Sequence, residues 1–133
     1  MLLIRLEKNL NTVCVLPSVL DELACLPANM QAHARAMKTL FKRYAAGGRQ
    51  GLTSQLFHEA DKQHGVWEFI HGRVRVFCFM DQGALIVLTA VAIKKTQKAD
   101  AASVNASINA KQRYLEAKRC NALQIQEITE ETT

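Results

Sequence analysis

The sequence predicts a two-layer α+β fold: an N-terminal helical hairpin packed on a curved antiparallel sheet of three to four strands, closed by a C-terminal helix. Three observations carry that expectation. Val66 to Lys98 reads as three short apolar strands joined by two glycine-bearing turns. Between positions 28 and 46 the apolar residues recur every three or four places, the period of a helix face. Of the 133 residues, 49% are hydrophobic, enough for one core of moderate size.

Each element has its own signal. Residues 2–6 form a short β-prone run, and 13–16 suit a strand or an extended loop equally. Pro17-Ser18 opens a helix, with Ser18 as its cap and Asp21 in the first turn. Val19, Leu20, Leu23 and Leu26 line its apolar face, and Pro27 ends it. The longer helix over 28–46 buries Met30, Ala34, Met37, Leu40, Phe41 and Tyr44 and turns Gln31, Arg35, Lys38, Lys42 and Arg43 outward. Gly47-Gly48 ends it, because glycine reaches left-handed dihedrals without strain. Residues 49–65 are polar and irregular, anchored by Leu52, Leu56 and Phe57, with His58 and His64 read as surface residues.

Strands follow over 66–70, 74–80 and 85–93, turning at His71-Gly72 and at Asp81-Gln82-Gly83. The third strand is almost wholly apolar and reads as central. Side chains alternate along a strand, so Arg73 and Arg75 share a face with Phe77 and Phe79, while Val74, Val76 and Cys78 share the other. In an antiparallel meander the start of the second strand lies beside the end of the third. Arg73 and Arg75 therefore meet Lys94 and Lys95 at one end of the sheet. Asp100 is the expected cap of a last helix reaching about Lys118, with Val104, Ile108, Lys111 and Leu115 on its buried stripe. Residues 1–120 form the expected single domain and 121–133 an acidic, mobile tail.

Composition narrows the chemistry. Seventeen Lys and Arg against twelve Asp and Glu give a net charge of +5, which suits a polyanionic partner. Five cations (Arg73, Arg75, Lys94, Lys95, Lys98) and two acids (Glu68, Asp81) fall in 66–98, so RNA backbone is the first candidate. The four cysteines are widely spaced, without a C-x-x-C pair, which argues against zinc and for free thiols in a reducing cytoplasm. Cys78, among apolar neighbours, reads as core. No apolar run reaches the eighteen residues of a membrane span. Phosphate-binding loops, nucleophile elbows, metalloprotease and dinucleotide motifs are absent, and neither metal nor cofactor is expected. Glu68 reads as an ion-pair partner of Arg73 or Arg75. Cleavage of RNA by its own 2′-hydroxyl requires that hydroxyl to be activated, the phosphorane charge to be neutralised and the 5′-oxygen to be protonated. Fixed arginines and lysines suit the second task, a crowded lysine the first, and His71 either proton transfer.

The run G-V-W-E-F-I-H-G-R-V-R-V-F-C-F-M-D-Q-G-A-L-I-V-L-T, followed by K-K-T-Q-K, resembles the RelE/ParE toxin superfamily, and within it the phage-derived HigB-like branch. The upstream L-A-C-L-P-A-N-M-Q-A-H-A-R-A is similar to that family's entry to its helical hairpin. The resemblance spans roughly residues 19–115. It implies a RelE-like fold and a type II toxin-antitoxin toxin: a ribosome-associated, metal-independent mRNA endonuclease that inhibits translation and is neutralised by a cognate antitoxin protein. By position it matches Arg75 to the family's R-V arginine, Lys94, Lys95 and Lys98 to its basic ending and Glu68 to its strand glutamate. The expected catalytic set is Arg75, Lys94, Lys95 and His71, with Arg73, Lys98 and Arg113 expected to bind RNA. Three departures stand against the family pattern: Ile70 where an arginine is common, Ala90-Val91-Ala92 where His-Gly-Phe is common, and Ala99 where a proline is. Ile70 and Ala90 keep open an alternative, a catalytically inactive phage or mobile-element protein of the same fold that binds and inhibits a host protein. Gyrase poisoning in the manner of ParE is a third reading, disfavoured by K-K-T-Q-K. A further expectation is that Glu127, Glu130 and Glu131 of the tail fold over the cationic patch and weaken RNA binding.

Overall fold

The computed structural model describes residues 1–95 and 101–128. Twelve residues after the start the chain has already built two strands, β1 (Leu2–Lys8) and the beginning of β2 (Thr12–Val15), and then enters α1 (Pro17–Ala24). A 3-10 turn over Ala28–Met30 leads into α2 (Gln31–Gly47). The strands β3 (Phe57–Asp61), β4 (Val66–His71), β5 (Val74–Asp81) and β6 (Leu85–Ile93) come next, then α3 (Ala101–Arg119) and a final strand, β7 (Gln124–Glu127).

The expected sheet of three to four antiparallel strands is corrected to a seven-stranded mixed sheet in the order β3-β4-β5-β6-β2-β1-β7. Two parallel pairings cause the difference. β2 lies parallel to β6, with Val13 opposite Ile86 and Val15 opposite Leu88. β7 lies parallel to β1, with Leu2 opposite Gln124 and Arg5 opposite Glu127. The N-terminal strands thus extend the hairpin sheet across β6, which becomes the fourth of seven strands. Its middle, Ile86 to Ala90, is buried on both faces, as its apolar composition requires.

The two-layer arrangement is corrected as well. Phe69 on β4 meets Phe41 of α2 edge to face, ring centroids 5.1 Å apart. Its neighbour Glu68 pairs with Phe77 on β5, and Phe77 packs with Val66, Ala90 and Val104 of α3. Adjacent strand residues point to opposite faces, so α2 and α3 cover opposite sides of the sheet. The N-terminal helices are one of two helical layers, not a hairpin closing a small sheet.

Several local devices differ from expectation. Ser18 is not the cap of α1; Leu16 holds that place without a side-chain hydrogen bond, and Pro17 begins the helix. The β5–β6 loop is Gln82-Gly83-Ala84, one residue later than expected, with Gly83 and Ala84 both left-handed. The buried stripe of α3 is Ser103, Val104, Ser107, Ala110, Tyr114 and Ala117, and Leu115 is exposed. Small residues let α3 sit close to the sheet. At the bulge where β6 slips against β5 between Phe77 and Cys78, the Thr89 hydroxyl donates to Phe77 O at 3.1 Å and lies 2.7 Å from the Ser107 hydroxyl. The far end of α3 is held by Asp81, whose carboxylate accepts from Tyr114 Oη at 2.6 Å and Lys118 Nζ at 2.8 Å. Partial burial pushes that carboxyl up, but the two donors outweigh it and hold it below its ordinary value. Residues 124–127, expected in the tail, form a strand whose Glu127 pairs with Arg5. Asp100, Glu130 and Glu131 lie outside the described residues, as does Lys98.

Candidate functional site

The β4–β5 hairpin and the end of β6 build the candidate site. His71 opposes Val74, and Gly72 and Arg73 form the two-residue loop between them. Gly72 takes φ +59°, the dihedral that a tight hairpin asks of its first central residue. Next to this loop, Val74 opposes Ile93 and Arg75 opposes Ala92. The ladder continues one step beyond β6: Lys94 N donates to Arg73 O at 2.7 Å, and Arg73 Nε donates to Lys94 O at 3.2 Å. Arg73 and Lys94 are thus direct cross-strand neighbours, while Lys94 is two residues from Ala92, the partner of Arg75. Diagonal neighbours of this kind stand about 7–8 Å apart, within reach of long side chains. Lys95 follows, exposed.

Among the described residues, none of Arg73, Arg75, Lys94 and Lys95 forms an ion pair with a carboxylate. Glu68, expected to pair with Arg73 or Arg75, binds His58 of β3 instead, at 2.6 Å. Arg75 Nη1 donates to the backbone at Gly72 O (2.6 Å) and Val74 O (3.2 Å). Its Nε is buried without a hydrogen-bond partner among the described residues. Like charges opposed on neighbouring strands repel, and a buried donor left unpaired costs about 1–3 kcal/mol. The repulsion falls when an anion arrives. A guanidinium held in place suits phosphate, because its fork of donors matches the anion's oxygens.

His71 has a partner that sequence reasoning did not find. His33 of α2 lies with its Nδ1 2.9 Å from His71 Nδ1, ring centroids 5.1 Å apart. Both rings are half-buried. A Cβ on Gly72 would stand 2.4 Å from His33 Cε1, so the His33 ring is seated directly on the glycine of the loop. The only sequence signal was a histidine one turn into an amphipathic helix, on the side expected to face the sheet.

The structure therefore brings Arg73, Arg75, Lys94 and Lys95 to one end of the sheet, and places His71 at the same end but on the α2 face, opposite the α3 face that carries Arg73, Arg75 and Lys94. Arg113 does not join them. It stands exposed on α3 and lines a separate shallow groove with Met1, Asn109, Gln112 and Glu116. Lys98 lies outside the described residues. A second open groove runs between the C-terminal end of α2 and the β3–β4 edge, lined by Asn11, Gly48, Arg49, His58 and Trp67. There Phe57 stacks on Trp67 at 5.1 Å and the Arg49 guanidinium sits 4.6 Å from the Trp67 ring centre.

Two of the four cysteines, Cys25 and Cys120, are exposed. Cys14 and Cys78 are buried, and burial pushes the Cys14 thiol up to about 11 and the Cys78 thiol higher than its ordinary value. Among the described residues no cluster of three or more His, Cys, Asp or Glu side chains could hold a metal ion. None of the described helices is long and apolar enough to cross a membrane.

Compared with known families, residues 21–114 match the model described as phage derived protein Gp49-like (DUF891). No curated protein matches the chain.

Proposed function

The chain belongs to the phage-derived Gp49-like family, and we propose that it acts as a toxin of the type II toxin-antitoxin kind, an mRNA endonuclease working on the ribosome. The observation that carries this reading is the meeting of Arg73, Arg75 and Lys94 at one sheet end, with no ion pair to a carboxylate among the described residues. The similarity of residues 66–98 to RelE/ParE toxins, and to their HigB-like branch, points the same way.

The chemistry follows from the charges. When a ribose 2′-oxygen attacks the adjacent phosphorus, negative charge builds on the equatorial oxygens. Arg75 and Lys94 stabilise that charge by preorganised donors, a contribution that can reach several orders of magnitude in rate. The ribosomal decoding site would hold the message in register, supplying orientation that the small domain lacks. A cognate antitoxin would neutralise the toxin by covering the same cationic end.

The departures Ile70 and Ala90 support a second reading. Ile70 stands opposite Arg75 where the family commonly places an arginine, and Ala90 is buried against α3 rather than facing the cationic end. An inactive protein of this fold that blocks a host protein would keep the surface and dispense with cleavage. Induced expression decides between them. Growth arrest with new mRNA 5′-ends supports the endonuclease. Uncut RNA with one host protein recovered on the tagged chain supports the inhibitor, and damaged DNA would indicate gyrase poisoning.

A further inference from the structure

Helix α2 carries a charge pattern that stability does not call for. Over Gln31–Gly47 it bears Arg35, Lys38, Lys42 and Arg43 and no Asp or Glu. All four cations are exposed, on the side turned away from the buried Met37, Leu40, Phe41 and Tyr44. At 3.6 residues per turn and 1.5 Å per residue, Arg35, Lys38 and Lys42 form one ridge about 10 Å long. These three make no hydrogen bond or ion pair among the described residues. Arg43 flanks the ridge, with Nη2 donating to Gly51 O at 2.7 Å. Like charges three and four residues apart weaken a helix. An acid at Ala32, Thr39 or Ala46 would relieve the repulsion, yet these exposed positions hold small residues. Asp21 and Glu22 of the neighbouring α1 are exposed and form no ion pair with α2 among the described residues. A local rule broken without a packing gain marks a surface kept for binding.

We propose that the Arg35–Lys38–Lys42 ridge is a second RNA surface, which docks the chain on the phosphate backbone of duplex RNA. The proposal rests on the ribosomal reading above and gives that reading its anchor. α2 and α3 cover opposite faces of the sheet, and Arg73, Arg75 and Lys94 lie on the α3 face. The two cationic surfaces therefore engage two separate RNA segments. The ridge holds structured RNA on one side, and the sheet end stays free to meet the message on the other. Charge and shape choose the occupant. A helix that lies in a membrane interface needs large apolar residues beside its cations, and the exposed side of α2 offers Ala32, Thr39 and Ala46 instead. Those short side chains let a backbone come close to the helix. Arginine and lysine on phosphates fix position without reading sequence. The ridge has no exposed aromatic on which an unpaired base could stack, the device that single-strand binders use, so a duplex backbone suits it better than a single strand.

The test compares the full-length chain with the triple variant Arg35→Gln, Lys38→Gln, Lys42→Gln and with the double variant Arg75→Ala, Lys94→Ala. The probes are a short RNA duplex of arbitrary sequence and purified ribosomes, each across a salt series. Glutamine is a good helix former and the three positions are exposed, so the triple variant should fold, as thermal melts check. If it does not, the single variant Lys38→Gln carries the comparison. Each duplex phosphate contact contributes about 0.9 to the slope of log affinity against log salt. The triple variant is expected to lose about 2–3 of that slope and at least about ten-fold in affinity for both probes. The double variant should bind both within about two-fold of wild type, because distant sites act independently. On programmed ribosomes the triple variant should need more ribosome to reach the same maximal cleavage rate, a rise in KM with kcat unchanged. A folded triple variant with wild-type slope and affinity on both probes overturns the ridge and leaves the endonuclease reading standing. Poly-glutamate that competes as well as the duplex at equal charge assigns the ridge to an acidic protein and overturns it too. Ridge-dependent binding by a wild-type chain that cuts no message upholds the ridge and removes the endonuclease.

Discussion

Arg73 and Lys94 are tied to each other twice: the Lys94 amide donates to Arg73 O at 2.7 Å and the Arg73 guanidinium Nε donates to Lys94 O at 3.2 Å. Backbone and side chain together hold the two residues side by side at the end of the ladder. This arrangement fixes the Arg73 guanidinium in place and sets the stem of Lys94 beside it.

Binding to single-stranded RNA is therefore expected to weaken steeply with salt. Each phosphate contact to a single strand contributes about 0.7 to the slope of log affinity against log salt. Arg75→Ala and Lys94→Ala should each lower the slope by about that amount, measured by fluorescence anisotropy across a salt series. An unchanged slope in both would place the RNA elsewhere.

Gly72→Ala should damage both stability and the site. The new methyl would stand 2.4 Å from His33 Cε1, at a residue with φ +59°. A left-handed dihedral on a residue with a side chain costs on the order of 1 kcal/mol, and the clash adds to it by pushing α2 off the hairpin. Chemical denaturation should show a loss of about 1–3 kcal/mol, and the imidazole signals of His33 and His71 should shift in NMR spectra.

Thr89→Val tests the bulge. The substitution is nearly isosteric but leaves Phe77 O and the Ser107 hydroxyl without the partner they have at 3.1 and 2.7 Å. Ser107 is fully buried. Unfolding free energy should fall by about 1–3 kcal/mol, and adding Ser107→Ala should recover part of it.

Asp81 sets an acid limit on the docking of α3. Its carboxyl lies below its ordinary value of 3.8 in the folded chain. A depressed acid stabilises the fold fully above that ordinary value, and the contribution disappears as pH falls through the lower folded value. Asp81→Asn should therefore destabilise the protein by about 1 kcal/mol at neutral pH. The gap to wild type should close progressively below about pH 4 in denaturant titrations.

The tail prediction changes with the structure. Glu127 pairs with Arg5 on the β1–β7 edge, and β7 is four strands from β5 in the sheet. At about 4.8 Å per strand that is about 19 Å, too far for Glu127 to cover Arg75 while β7 is paired. Truncation after Asn121 is expected to leave RNA affinity unchanged at every salt concentration while lowering thermal stability, because Met1 and Arg5 lose their partners at Ala122 and Glu127.

Much of the region 66–93 was legible because its signals are local. Alternation, two glycine turns and a nearly all-apolar strand determine β4, β5, β6 and their register, and the register brings Arg75 near Lys94. What the sequence left hidden depends on pairing between distant segments. Nothing in 12–15 announces that β2 lies parallel to β6, and Gln124–Glu127 is too polar to read as a strand without β1 beside it. β3 was missed because Phe57–Asp61 mixes charge with one buried anchor and carries an irregularity between Glu59 and Asp61. His33 was unreadable as a site residue for the same reason. Its meaning lies entirely in the 38-residue separation from His71.

The most direct measurement is cleavage of a defined mRNA on programmed ribosomes by the purified chain, with product ends mapped, beside the double variant Arg75→Ala, Lys94→Ala. The account predicts discrete cuts by the wild type and at least about a 10²-fold loss in the folded double variant. Undiminished cutting by that variant would contradict the cationic sheet end as the place where RNA is held and broken.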